Sequence, residues 1–97
     1  MTDENSLGEE IKVILTDAGY EEIPPHRTSL AGFRAHQYYG HPEHREIVFR
    51  HYRSPTHDAE RASFYATVFP LLEAKYGSRV TRRYEDTLLV ALIVAPA

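Results

Sequence analysis

Four of the six histidines of this 97-residue chain fall within residues 30–53, a stretch that reads as a pair of strands. Two of them, His41 and His44, enclose a proline and a glutamate. Imidazole and carboxylate groups are metal ligands, so this stretch is the first place to consider a metal site. The helical zinc motif, however, needs two histidines one helical turn apart, and these two stand beside the turn formers glycine and proline. We therefore predict a solvated turn at Gly40–His44, and no metal or other cofactor.

Other catalytic chemistry finds little support in the sequence. The absence of cysteine excludes thiolate nucleophiles, disulfides and cysteine-ligated zinc. The five glycines are scattered singly, so there is no phosphate-binding loop. Ser6 and Ser54 stand where they would cap helices, and neither lies in a nucleophile elbow. We predict no catalytic residues and a binding protein, with a small enzyme or a metal-binding protein as the third alternative.

Arginines alternate with tyrosines and a histidine along the predicted strands. If helices cover only one side of the sheet, these side chains share the other side and form a predicted binding face: Arg34, His36, Tyr38, Arg50, Tyr52, Arg79 and Arg83. Arginine and tyrosine are enriched at protein interfaces, and they also build platforms for single-stranded nucleic acids. The predicted last strand has no aromatic side chain, and the net charge is -3. Both observations favour a protein partner over RNA or single-stranded DNA, which stays the alternative.

The elements that would position this face follow from hydrophobic spacing. Apolar residues at helical spacing predict a first helix over about residues 7–18 and a second from residues 54–58 to Gly77. Alternating patterns predict four strands, over residues 30–39, 45–53, 79–84 and 87–95. The order α-β-β-α-β-β predicts an α+β fold in which two helices pack on one face of a four-stranded antiparallel sheet. This is a circularly permuted ferredoxin-like arrangement, with the second and fourth strands in the middle.

The last predicted strand is apolar on both sides. Strict alternation puts one set of side chains on the open side of the sheet: Leu88, Val90, Leu92 and Val94. Because an exposed apolar strip of this size is unusual in a soluble monomer, we expect something to cover it. The prediction is a homodimer with these four residues as its interface. The other predicted partner is a second protein, as for a regulator, inhibitor or immunity-type factor.

Length predicts a single domain over residues 1–97, with an acidic and flexible N-terminus at residues 1–5. Seven acidic residues and one lysine precede residue 23, whereas ten basic and seven acidic residues follow. The longest apolar run, residues 88–96, is about half of the ~20 residues that cross a bilayer. The first residues are also unlike a secretory signal. We therefore predict a cytoplasmic protein that does not bind membranes.

Overall fold

A computed structural model describes residues 6–23, 31–51 and 54–97 of the chain. The elements are α1 (Ser6–Asp17), β1 (Gly32–Tyr38), β2 (His41–Arg50), α2 (His57–Tyr76), a short 3-10 helix (Gly77–Arg79), β3 (Val80–Glu85) and β4 (Leu88–Val94). The strands form one antiparallel sheet in the order β1-β2-β4-β3. The predicted α+β fold is confirmed, with the second and fourth strands in the middle. The prediction of a flexible N-terminus at residues 1–5 lies outside the described residues.

Both helices end at a glycine with positive φ. At the end of α1, Gly19 has φ 97°, and the Tyr20 amide donates to the carbonyl of Leu15 at 3.1 Å. At the end of α2, Gly77 has φ 60°, and its amide donates to the carbonyl of Glu73. Glycine adopts such backbone angles without a steric cost, so these two positions stop the helices close to where the sequence predicts. Neither helix in the described ranges is long and apolar enough to span a bilayer.

The helices cover one side of the sheet and enclose the main core. Helix α1 packs on β1 and on α2, whereas α2 packs on β2, β3 and β4. The core between the two layers is made of fully buried apolar side chains: Ile11, Leu15, Phe33, Ile47, Phe64, Tyr65, Val68, Leu72, Leu92 and Val94. Burial of each larger side chain contributes about 1.5–3 kcal/mol. The other side of the sheet, which we call the open face, has no helix on it among the described residues.

The β1–β2 hairpin differs from its prediction. The chain turns within two residues, Tyr39 and Gly40, and β2 already begins at His41, so the predicted five-residue turn at Gly40–His44 is wrong. Gly40 makes the tighter turn with φ 84°. The pairing of β1 with β2 shifts after Gln37, because Gln37 pairs with Arg45 whereas Tyr38 pairs with His41. Residues 42–44 of β2 therefore form an irregularity in the hairpin.

Arg45 holds this irregularity in place. Its side chain is 4% exposed, and one guanidinium nitrogen donates to the carbonyls of Pro42 and His44, at 3.0 Å each. The guanidinium lies beneath Gly8 of α1, where a Cβ would stand 3.2 Å from Arg45 Nε. The buried Arg45 side chain therefore connects the start of β2 with the first turn of α1.

The two central strands pair over only three residues, Arg45–Ile47 with Leu92–Val94. Continuing the same register would bring Phe49 opposite Val90, but the hydroxyl of Tyr65 lies between them. It accepts from the Phe49 amide at 3.3 Å and donates to the Val90 carbonyl at 2.7 Å. Burial raises the pKa of Tyr65, so this hydroxyl remains protonated and keeps its role as a donor. A side chain from α2 thus bridges the middle of the sheet.

A β-bulge at Val90 changes which side chains of β4 face the helices. Arg83 pairs with Ala91 and Tyr84 with Leu89, so Val90 is the extra residue. Leu92 and Val94 are fully buried in the main core, and Leu89 packs against it as well. The assignment of Leu92 and Val94 to the open side is therefore wrong. A bulge breaks the strict alternation on which that assignment was based.

Candidate binding face

Five of the predicted binding residues share the open face. The register places Arg34 opposite Val48, His36 opposite Glu46 and Arg83 opposite Ala91. Because side chains directly opposite each other point to the same side of a sheet, these pairs lie on one surface. The alternation along β1 and β2 adds Tyr38 and Arg50 to it. Whether these residues bind a partner stays a prediction.

Glu46 stands at the centre of this face. Its carboxylate lies 2.7 Å from His36 Nε2 and 3.0 Å from Arg83 Nε. From β2 it therefore contacts the neighbouring edge strand β1 and, across β4, the other edge strand β3. Arg83 also contacts Glu85 at 3.3 Å. The Glu46 side chain is only 13% exposed, whereas His36 and Arg83 are 43% and 32% exposed. The carboxylate therefore holds two partly exposed groups in fixed positions.

The apolar part of the open face is small and already buried in the single chain. Val48, Ala91 and Ile93 form a second cluster that is at most 6% exposed, and Tyr38 packs against it. Among the residues predicted to form a dimer interface, Leu88 is 53% exposed, and Val90 is the bulge residue bonded to Tyr65. The open apolar strip that motivated the predicted interface is thus not present on the face. What Val48, Ala91 and Ile93 contribute is a rigid base under the polar side chains.

The end of the face near the β1–β2 turn carries a row of rings. Tyr38 stacks on His41 with ring centroids 5.4 Å apart, and His41 lies 5.1 Å from His44. Within the described residues, no group of three or more histidine and carboxylate side chains could hold a metal ion. His41 and His44 thus contact other rings in this structure.

Two predicted binding residues are not part of the described face. The guanidinium of Arg79 lies 5.0 Å above the Tyr76 ring, and its Nε donates to the Ala95 carbonyl at 2.9 Å. It therefore belongs to the end of α2, because the short 3-10 helix precedes β3 at this position. Tyr52 lies outside the described residues.

A second polar cluster surrounds Glu60 in the first turns of α2. Its carboxylate accepts hydrogen bonds from Ser54 and from Thr56, the latter at 2.7 Å, and lies 2.7 Å from His51 Nδ1. Hydrogen bonds from Ser54, His51 and Thr56 lower the pKa of Glu60 to about 2. The residue types are those of a hydrolase triad, but the serine is bonded to the carboxylate and not to the histidine. This arrangement orders the start of α2 and does not activate a nucleophile.

Sequence patterns did not single out Glu46, although alternation from Val48 and Arg50 places it on the same side. Nor did they single out Arg45 and Glu60, whose roles depend on contacts between distant segments. Comparisons of the chain with protein-family models, with curated proteins and with solved structures found no match. The function therefore has to be inferred from the residues of the chain itself.

Proposed function

We propose that the chain is a small non-enzymatic module that binds a protein partner through the open face of its sheet. The observation that supports this most is the Glu46 carboxylate, which orders His36 and Arg83 before any partner arrives. Side chains that are already ordered lose less conformational entropy on binding. A rigid apolar base beneath a surface rich in arginine also matches the composition of protein interfaces.

The same carboxylate makes single-stranded nucleic acid a poorer partner. A strand that lay across the face would bring phosphates towards Glu46, and Arg83 already contacts two carboxylates, those of Glu46 and Glu85. Binding of nucleic acid depends on cations that can neutralise phosphates and on rings that stack with bases. On the described part of the face, the one tyrosine available for stacking with bases is Tyr38. Its ring packs against the apolar cluster of Val48, Ala91 and Ile93.

The partner surface that fits this face carries carboxylates. Arg34 stands on β1 and Arg50 on β2, and arginine forms paired hydrogen bonds with carboxylates. Three arginines outnumber the two glutamates of the face, Glu46 and Glu85, whereas the chain as a whole has a net charge of -3. An acidic protein would therefore approach this face in preference to the rest of the surface.

Affinity capture from the native host, with and without nuclease, tests the proposal. Arg34→Ala removes an arginine side chain from the face. Arg79→Ala is the matched control, because it removes an arginine side chain that is not on the face. We expect one protein to be captured by the wild type and by Arg79→Ala but not by Arg34→Ala. Nuclease treatment should leave this capture unchanged. Circular dichroism would establish that both variants are folded. Loss of the captured protein on nuclease treatment, or equal capture by both variants, would contradict the proposal.

A further inference from the structure

The two edges of the sheet differ in how they are covered. Along the outer edge of β1, the Ile23 amide donates to the Phe33 carbonyl at 2.8 Å, and the Phe33 amide donates to the Glu21 carbonyl at 2.9 Å. Along the outer edge of β3, no strand of the described chain is paired. The extra residue of the β3–β4 bulge is on β4, so β3 itself runs without an insertion. An edge of this kind is open to pairing with another strand.

The charges on either side of Tyr84 in this edge are opposite in sign. Residues 82–86 read Arg-Arg-Tyr-Glu-Asp, so two bases precede a central tyrosine and two acids follow it. When two copies of β3 pair antiparallel with Tyr84 opposite Tyr84, Arg83 faces Glu85 of the other copy, whereas Asp86 lies in the β3–β4 turn and has no partner in this pairing. The axis repeats this contact, so the pairing brings together two pairs of opposite charge. Centring the pairing on Arg83 or Glu85 instead places like charges opposite each other, which is unfavourable.

We propose that two copies of this chain join along β3 in this register, with a two-fold axis at Tyr84. The joined sheet has eight strands, because each copy contributes four. Backbone hydrogen bonds supply affinity in this kind of strand addition, and the charge pattern selects the register. Charges on an edge strand ordinarily prevent pairing. Here the charges disfavour pairing centred on Arg83 or on Glu85, and they favour pairing centred on Tyr84.

Exposed apolar groups beside the same edge support pairing. At the hairpin end of β3 and β4, Tyr84 is 51% exposed and Leu88 is 53% exposed. A groove of 420 Å³ runs between α2 and this hairpin, with Phe69, Arg82 and Leu88 in its wall. A second copy placed along β3 would shield part of these surfaces from water. Apolar burial would then add to the backbone hydrogen bonds.

This dimer is different from the one predicted from the sequence, which used residues of β4. A two-fold axis at Tyr84 is perpendicular to the sheet, so it places both open faces on the same side. The dimer would then present two copies of the binding face on one continuous surface. The inference does not depend on the proposed function, because pairing at the edge of β3 is independent of what binds the face.

The test uses two variants that each place like charges opposite each other. Glu85→Arg brings two arginines together, and Arg83→Glu, made with Glu46→Gln to avoid a new repulsion on the face, brings two glutamates together. Sedimentation analysis should show a dimer for the wild type and a dissociation constant at least about tenfold higher for each variant alone, since two pairs change from attraction to repulsion. Mixing the two variants should restore a dimer, because all the cross-strand pairs are again opposite in charge.

Glu43→Arg is the control, because it makes the same charge change at the other end of the sheet, and it should leave the dimer intact. Hydrogen exchange should show slower exchange of β3 amides in the dimer than in Glu85→Arg. A wild type that stays monomeric at high concentration would overturn the proposal. So would a dimer that Glu85→Arg does not weaken, or a failure of the mixed variants to associate.

Discussion

Removing the hydroxyl of Tyr65 tests how the centre of the sheet is held together. Tyr65→Phe keeps the ring in the core but leaves the Phe49 amide and the Val90 carbonyl without the hydroxyl that bridges them. An unsatisfied buried main-chain group costs about 1–3 kcal/mol, and these two are partly buried, so we expect a loss of about 2–3 kcal/mol in the free energy of unfolding. For a domain of this size the melting temperature should fall by about 10–20 °C.

Urea unfolding followed by circular dichroism measures this loss. Tyr39→Phe is the matched control, because Tyr39 is 97% exposed, and its hydroxyl should contribute less than about 0.5 kcal/mol. If Tyr65→Phe were as stable as the control, the two strands would be able to close and pair directly at Phe49 and Val90. That result would refute the bridging role of the hydroxyl.

Three further outcomes follow from individual residues. Gly32→Ala should destabilise the fold by about 1–3 kcal/mol in urea unfolding, because a Cβ there would lie 2.2 Å from the Glu21 carbonyl oxygen; unchanged stability would contradict this close approach. The lowered pKa of Glu60 means that its contribution to stability is complete above its ordinary pKa of 4.5 and is lost as pH falls towards 2, so Glu60→Gln should flatten the acid side of a stability–pH curve. Zinc or nickel should leave the melting temperature unchanged, and an increase that His41→Ala or His44→Ala abolishes would contradict this.

The order of elements could be predicted from the sequence because hydrophobic spacing and glycine positions fix it locally. The side of the sheet to which each residue of β1 and β2 points was also predictable, since alternation holds over most of their length. The prediction from alternation failed on β4, where the bulge at Val90 moves Leu89 to the same side as Leu92 and Val94. Nothing local to that run of apolar residues marks a bulge, because every register of it is equally hydrophobic.

The ordering of the face could be predicted only in part. Arg34, His36 and Arg83 follow from alternation, but the position of Glu46 between two edge strands depends on the pairing of segments far apart in the chain. The same holds for Tyr65, which comes from α2 and replaces a hydrogen bond between strands. Such contacts are set by tertiary structure, so periodicity alone does not predict them.

The most direct test of the proposed function is site-specific photocrosslinking in the native host. A photoreactive residue at position 36 would lie on the open face, where the His36 side chain is 43% exposed, and one at position 13 would lie on α1, where Val13 is 57% exposed. We predict a crosslinked protein adduct at position 36 that survives nuclease, and no such adduct at position 13. An adduct that forms equally at both positions, or one that nuclease removes, would contradict protein binding through the open face.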